Sequence, residues 1–271
     1  MDRIKRTAGD HPLIFGLIVT IVYIVLLLVS ALLGAALPGE GLASTGSLLG
    51  RILSTAVLLA VIAGFGWLEP AGFTRLGRWQ TWLILLPWLA YAIAASSYAM
   101  TGSFVPRASG QALTVIVILF ILVSAFMEEV AFRGLLLHAY VHAWGGDNRG
   151  LIRSLLFSSF FYASIHLFDF LGGRPLANVL LQSLGAFLLG VLLGALVLAG
   201  RSIYPAIFFH AALNLAGYFS FAAQDLEPTA SSWLLFGVLM LPLAIFGLYW
   251  IYRSPRRERQ ALAPKSTTVK G

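Results

Sequence analysis

The sequence holds no cysteine in 271 residues, which excludes disulfides, thiolate metal sites and a cysteine nucleophile. Charge is scarce as well: Asp, Glu, Lys and Arg make up 11% of the chain, where a soluble domain carries about a quarter. Acidic residues number 11 against 18 Lys and Arg. A chain this poor in charge cannot clothe a water-facing surface. It is filled instead by apolar residues, 59% of the total with a mean hydropathy of +0.88. Several apolar runs reach the roughly 18 to 25 residues that a helix needs to cross a bilayer core. The composition therefore implies an all-α, integral membrane protein whose largest partner is the lipid bilayer. The net charge of +7 does not point to nucleic acid, because the basic residues sit at the ends and in short loops, where they set topology.

Eight spans are expected, at about 13–37, 50–67, 81–100, 111–142, 151–168, 176–199, 203–223 and 232–252. The helix-interrupting segments "LPGEG", "LEPAGF", "GGDNRG", "LGGRP" and "DLEP" separate them. The first apolar stretch is too long for a signal peptide and reads as an uncleaved helix behind a tail at 1–12. The fourth is too long to lie wholly in hydrocarbon and should leave the membrane near His138 or kink. Residues 253–271 read as a basic, disordered tail. An even number of spans puts both termini on one side, and that side collects fourteen of the 18 Lys and Arg residues against three on the other. The positive-inside rule then makes that side cytoplasmic, in a plasma membrane or bacterial inner membrane.

An ionisable side chain at mid-bilayer costs roughly 2.5–3.5 kcal/mol on insertion scales, so each one needs a reason. The interior set is Glu128, Glu129, Arg133, His166 and His210, joined by the neutral Asn214. Glu129 and Arg133 are four residues apart and can pair on one helix face. Glu128 is rotated by about 100 degrees from its neighbour and is left to act as a base. Tyr162 and His166 repeat the four-residue spacing on the fifth span, as do His210 and Asn214 on the seventh. Three such pairs can converge on one polar site between spans four, five and seven, since polar groups in lipid face one another. A carboxylate, two imidazoles and a carboxamide suffice to hydrolyse a bond with water, with no serine or cysteine nucleophile.

Each feature also has a plainer reading. The charges of span four could cap a helix at the lipid–water boundary, and a histidine on an aromatic face is often a packing residue. Glu128, His166 and His210 could instead hold zinc, although the helical HExxH signature is absent. His138 and His142 read as interfacial. Asn178 and Gln182 suit a helix-helix hydrogen bond, and Ala186, Gly190 and Gly194 a close packing face. Ser158, Ser159 and Ser164 lie in no GxSxG context. No span carries the central Gly or Pro break, matched in the other half, that a transporter would use.

These motifs, in this order and on separate spans, resemble those of the CAAX protease and bacteriocin-processing (ABI) family of glutamate-dependent intramembrane proteases. EExxxR is matched by Glu128, Glu129 and Arg133, FxxxH by Tyr162 and His166, and HxxxN by His210 and Asn214, across about residues 110–220 of a transmembrane domain at 13–252. The resemblance implies a membrane endopeptidase without a cofactor, acting on a peptide or the tail of a membrane protein. In it Glu128 and His166 would activate water, and His210 and Asn214 would form the oxyanion site. Tyr162 departs from the usual phenylalanine and adds a hydroxyl whose partner the sequence does not name. A non-proteolytic scaffold or immunity factor of the same fold is the alternative from a different functional class.

Overall fold

Long apolar segments bounded by capping residues become helices here, since in lipid every backbone N–H and C=O must be satisfied within the segment. The computed structural model describes residues 2–37, 44–104, 115–222 and 229–253. It contains α1 (Asp2–Asp10), α2 (Pro12–Ala36), α3 (Thr45–Gly64), α4 (Trp79–Thr101) and α5 (Val115–Glu129). A π-helical stretch, Val130–Leu137, carries α5 into α6 (His138–Trp144). There follow α7 (Asn148–Ser164) with a 3-10 ending at Ile165–Phe170, α8 (Leu176–Gly200), α9 (Tyr204–Ala222) and α10 (Ala230–Arg253). No strand occurs among the described residues.

Local chemistry explains the boundaries. Pro12 opens α2 in the first turn, where its missing N–H costs nothing. Ser44 caps α3 by accepting from the Ser47 amide, and Asp147 caps α7 by accepting from the Gly150 amide at 2.7 Å. Gly102 ends α4 in the left-handed conformation.

Seven of the described helices, counting Val115–Trp144 and Asn148–Phe170 as single units, are long and apolar enough to cross a membrane. The eighth expected span is α9, whose 19 residues include His210 and Asn214 and are correspondingly less apolar. It packs against α4, α5 and α8. Leu17, Leu28 and Leu32 of α2, Leu53 of α3 and Val238 and Ile245 of α10 are exposed. Apolar side chains covering the outer faces of successive long helices make this a multi-pass membrane protein with lipid as its solvent. The central helix is α8: 72% of its most apolar window is buried, against at most 44% for the other six of these seven.

The structure adds detail to two of these segments. The tail at 1–12 is largely helix: α1 packs on α2 and α6, with Ala8 buried. The fourth span continues as helix past His138. It runs on as α6, and the His138 ring packs edge-on to Trp67 at 5.0 Å. The irregularity lies earlier, in the π-helical stretch, all eight residues of which are buried. The start of that span at 111–114 and the expected tail beyond 253 lie outside the described residues.

Buried apolar residues form two clusters. One gathers α2, α3, the π stretch and α7; the other gathers α4, α8, α9 and α10. The entry to α9 is fixed by the loop after α3. The Tyr204 hydroxyl donates to the Phe73 carbonyl at 2.8 Å, the Ser202 hydroxyl to the Arg75 carbonyl at 2.7 Å, and Arg75 Nε to the Arg201 carbonyl at 2.8 Å. Gly72 permits this approach: at φ +87° it brings its backbone to where a Cβ would meet Ser202 Cα at 2.7 Å. The turn that delivers His210 is thereby tied to the other half of the bundle.

Candidate active site

Ionisable side chains in a bundle interior persist only when they neutralise one another. The pair at the end of α5 does so: Arg133 Nη1 donates to Glu129 Oε1 at 3.0 Å, with the arginine 1% exposed and the glutamate fully buried. The same Oε1 accepts from His210 Nδ1 at 2.9 Å. Glu129 is therefore more than the arginine's partner; it joins the fourth span to the seventh. A second guanidinium nitrogen donates to the Gly190 carbonyl at 3.4 Å, and the guanidinium lies over the Tyr162 ring at 4.3 Å.

Glu128 is excluded from this lock, as the helical rotation predicts. Its side chain is 16% exposed, and Oε2 stands 3.7 Å from His210 Nε2. Glu128, His210, Glu129 and Arg133 thus form a chain in which acid alternates with base. Glu129 can only accept, so His210 Nδ1 carries a proton. His210 Nε2 is then a donor only in the imidazolium form.

The Tyr162 hydroxyl lies 3.4 Å from His210 Nε2, which names the partner that the sequence left open. The ring of Tyr162 is edge-on to His166 at 5.8 Å and to Phe132 at 5.5 Å. His166, on the 3-10 turn that ends α7, has Glu128 and His210 among its electrostatic neighbours. Its Nδ1 is 3.3 Å from the Gln182 amide nitrogen. Asn214 stands one helical turn beyond His210 and lines a cavity of about 400 Å³ with Tyr162, His166 and Gln182. The remaining wall is mainly apolar, including Met100, Leu189, Leu213 and Phe236. Glu128 and His210 are not among the residues that line this cavity, and His210 is 3.4 Å from the hydroxyl of Tyr162, which does.

Three contributors were not visible in the spacing of the motifs. Gln182 bonds His166 on another helical element, where the sequence suggested a helix-helix hydrogen bond without naming its partner. Arg174, held by Asp169 at 2.8 Å, bonds Gln182 in turn. Tyr23 of α2, completely buried, has Glu128 and Arg51 of α3 as its charged neighbours. The Asn178–Gln182 repeat was the only available signal for any of them.

The small residues of α8 serve as a packing face against α7. A Cβ on Gly190 would lie 3.1 Å from Ser159 Cβ and 3.2 Å from the Tyr162 ring, and one on Gly194 would meet Leu155. Replacing Gly190 with Val is expected to cost about 1–3 kcal/mol as the crowded helices separate. It should also shift Tyr162 from beneath Arg133. A thermal melt in detergent checks the first effect, and tyrosine fluorescence the second.

Zinc held by Glu128, His166 and His210 would need all three to converge on one point. Among the described residues no three His, Asp or Glu side chains form such a group.

Residues 110–216 match the family model described as type II CAAX prenyl endopeptidase Rce1-like. The matched segment contains Glu128, Glu129, Arg133, Tyr162, His166, His210 and Asn214. No curated protein and no solved structure matches the chain.

Proposed function

On the premise that residues 110–216 belong to the type II CAAX prenyl endopeptidase Rce1-like family, we propose that this protein is an intramembrane endopeptidase that hydrolyses a peptide bond with glutamate-activated water. The supporting observation is Glu128, which stands outside the Arg133–Glu129 lock, 3.7 Å from His210 and an electrostatic neighbour of His166, beside a mainly apolar cavity lined also by His166 and Asn214.

In the proposed reaction a water oxygen bonds to the scissile carbonyl carbon while Glu128 takes the water's proton. His166 orients that water. His210, as an imidazolium held by Glu129, and Asn214 donate to the oxyanion that forms. The C–N bond then breaks, the carbonyl re-forms, and the proton on Glu128 passes to the leaving amine. No cofactor enters this scheme. Stoichiometric zinc in the purified protein, lost on changing His166 or His210, would overturn its metal-free form.

The cavity lies among helices that face lipid, which favours a substrate already at the membrane: a peptide, or the tail of a membrane protein. We place the protein in the plasma membrane with both termini cytoplasmic, as the loop charges indicate. Glycosylation-site or cysteine-accessibility mapping of the termini tests that orientation.

Tyr162→Phe is expected to leave the fold intact and to lower turnover by less than about tenfold. The hydroxyl makes one long contact, worth about 1 kcal/mol at most, while the ring that carries Arg133 is retained. A larger loss of turnover, in a variant with an unchanged melting temperature, would give the hydroxyl a direct part in the reaction.

A further inference from the structure

Gln182 presents both ends of its amide to fixed partners, and those partners differ in what they can do. Arg174 Nη1 faces the Gln182 oxygen and also donates to Asp169 Oδ2 at 2.8 Å. A guanidinium has donors and no acceptor, so the atom of Gln182 that faces it must be the carbonyl oxygen. The amide NH2 is thereby turned toward His166 Nδ1, 3.3 Å away. An amide nitrogen only donates, so Nδ1 must offer a lone pair. A proton on Nδ1 would set two donors against each other.

We infer that Gln182, oriented by Arg174 and Asp169, is a positioning residue that holds His166 as the neutral tautomer with its proton on Nε2. The consequence for the chemistry is directional. A ring with Nδ1 bare and Nε2 already protonated cannot take a proton at Nε2, and protonation at Nδ1 is opposed by the amide. His166 is therefore a standing Nε2–H donor, able to hold a water or a carbonyl oxygen but not to serve as the base. That leaves proton abstraction to Glu128 alone, and it sets His166 apart from His210, whose Nδ1 carries the proton toward Glu129. The four-residue chain Asp169–Arg174–Gln182–His166 runs from the half-exposed turn between α7 and α8 to the polar end of the cavity. Arg174 and Asp169 do not line the cavity, so the chain can be disturbed there without changing a cavity-lining residue.

This inference deepens the hydrolytic reading, but the tautomer is measured without substrate, so failure of one is distinguishable from failure of the other. The full-length protein is labelled with 15N-histidine in lipid nanodiscs at neutral pH, and His166→Gln identifies the His166 signals. The wild type is expected to show an unprotonated Nδ1 and a protonated Nε2. Gln182→Glu keeps the shape but replaces the donor by an acceptor, and should move the proton to Nδ1. Arg174→Met frees the amide to turn over and should give a mixture of the two forms. A wild-type spectrum with Nδ1 protonated overturns the inference. So does a His166 signal unchanged in both variants. If Gln182→Glu does not fold, the wild type and Arg174→Met decide between the outcomes.

Discussion

Glu128→Gln is expected to abolish proteolysis, lowering turnover by about 10²–10⁴-fold, the usual contribution of a positioned general base. The folded protein should survive the change. Glu128 takes no part in the Arg133–Glu129 lock, its side chain is partly exposed, and its contact with His210 is 3.7 Å long. A carboxamide of the same shape retains the packing but has no lone pair basic enough to take a proton from water. Comparing the peptide termini of the membrane proteome in wild-type and variant cells reads the loss and names the substrates together. Termini that vanish only in the variant support the reading. Unchanged termini, with the variant present at normal level, overturn it and favour the non-proteolytic scaffold or immunity factor of the same fold.

Arg133→Met should act in the opposite way, on folding first. The guanidinium is 1% exposed, neutralises a fully buried carboxylate, donates to the Gly190 carbonyl and lies on the Tyr162 ring. Removing it leaves Glu129 charged and buried, with His210 as its remaining partner. Breaking one side of such a pair costs about 3–5 kcal/mol, which for a marginally stable domain is a large share of the total. The expected result is a sharp fall in melting temperature and in folded yield from detergent. Glu129→Gln added to Arg133→Met should recover a substantial part, because the stranded charge is then gone. If the single variant melts like the wild type, Glu129 is not held ionised by Arg133 and the alternating chain of charges fails.

Much of the site was legible in sequence because a helix converts spacing into direction. Glu129 with Arg133 needed only the helical period to be placed on a shared face, and Glu128 to be placed off it. Gly190 and Gly194 announced a close contact because small residues at that interval have few other uses in lipid. The same rule could not name the helix on the other side of the contact. That Gly190 meets Ser159 and Tyr162, and that its carbonyl receives Arg133, depends on how α8 is turned against α7 and the π stretch.

Other parts were hidden for a related reason. Gln182 has the same spacing to Asn178 whether it faces a neighbouring helix or His166. Tyr23 and Arg51 lie far upstream of the matched segment, and no local pattern ties them to Glu128. The π stretch left no mark in the apolar sequence of Val130–Leu137, and α1 could not be told from a polar tail because its length is short and its composition charged.

By itself the sequence determined the membrane setting, the run of long apolar helices, the pairs on individual helices and the charge that had to be neutralised. These follow from length, hydropathy and the helical period, which act within a single segment. Only the tertiary structure decided that His210 binds Glu129, that Tyr162 faces His210, and that Gln182 orients His166. In a bilayer the tails are as apolar as leucine, so burial does not choose one helix face over another. Rotation and neighbour are chosen by close packing of small residues and by polar groups finding partners, and both depend on every helix at once.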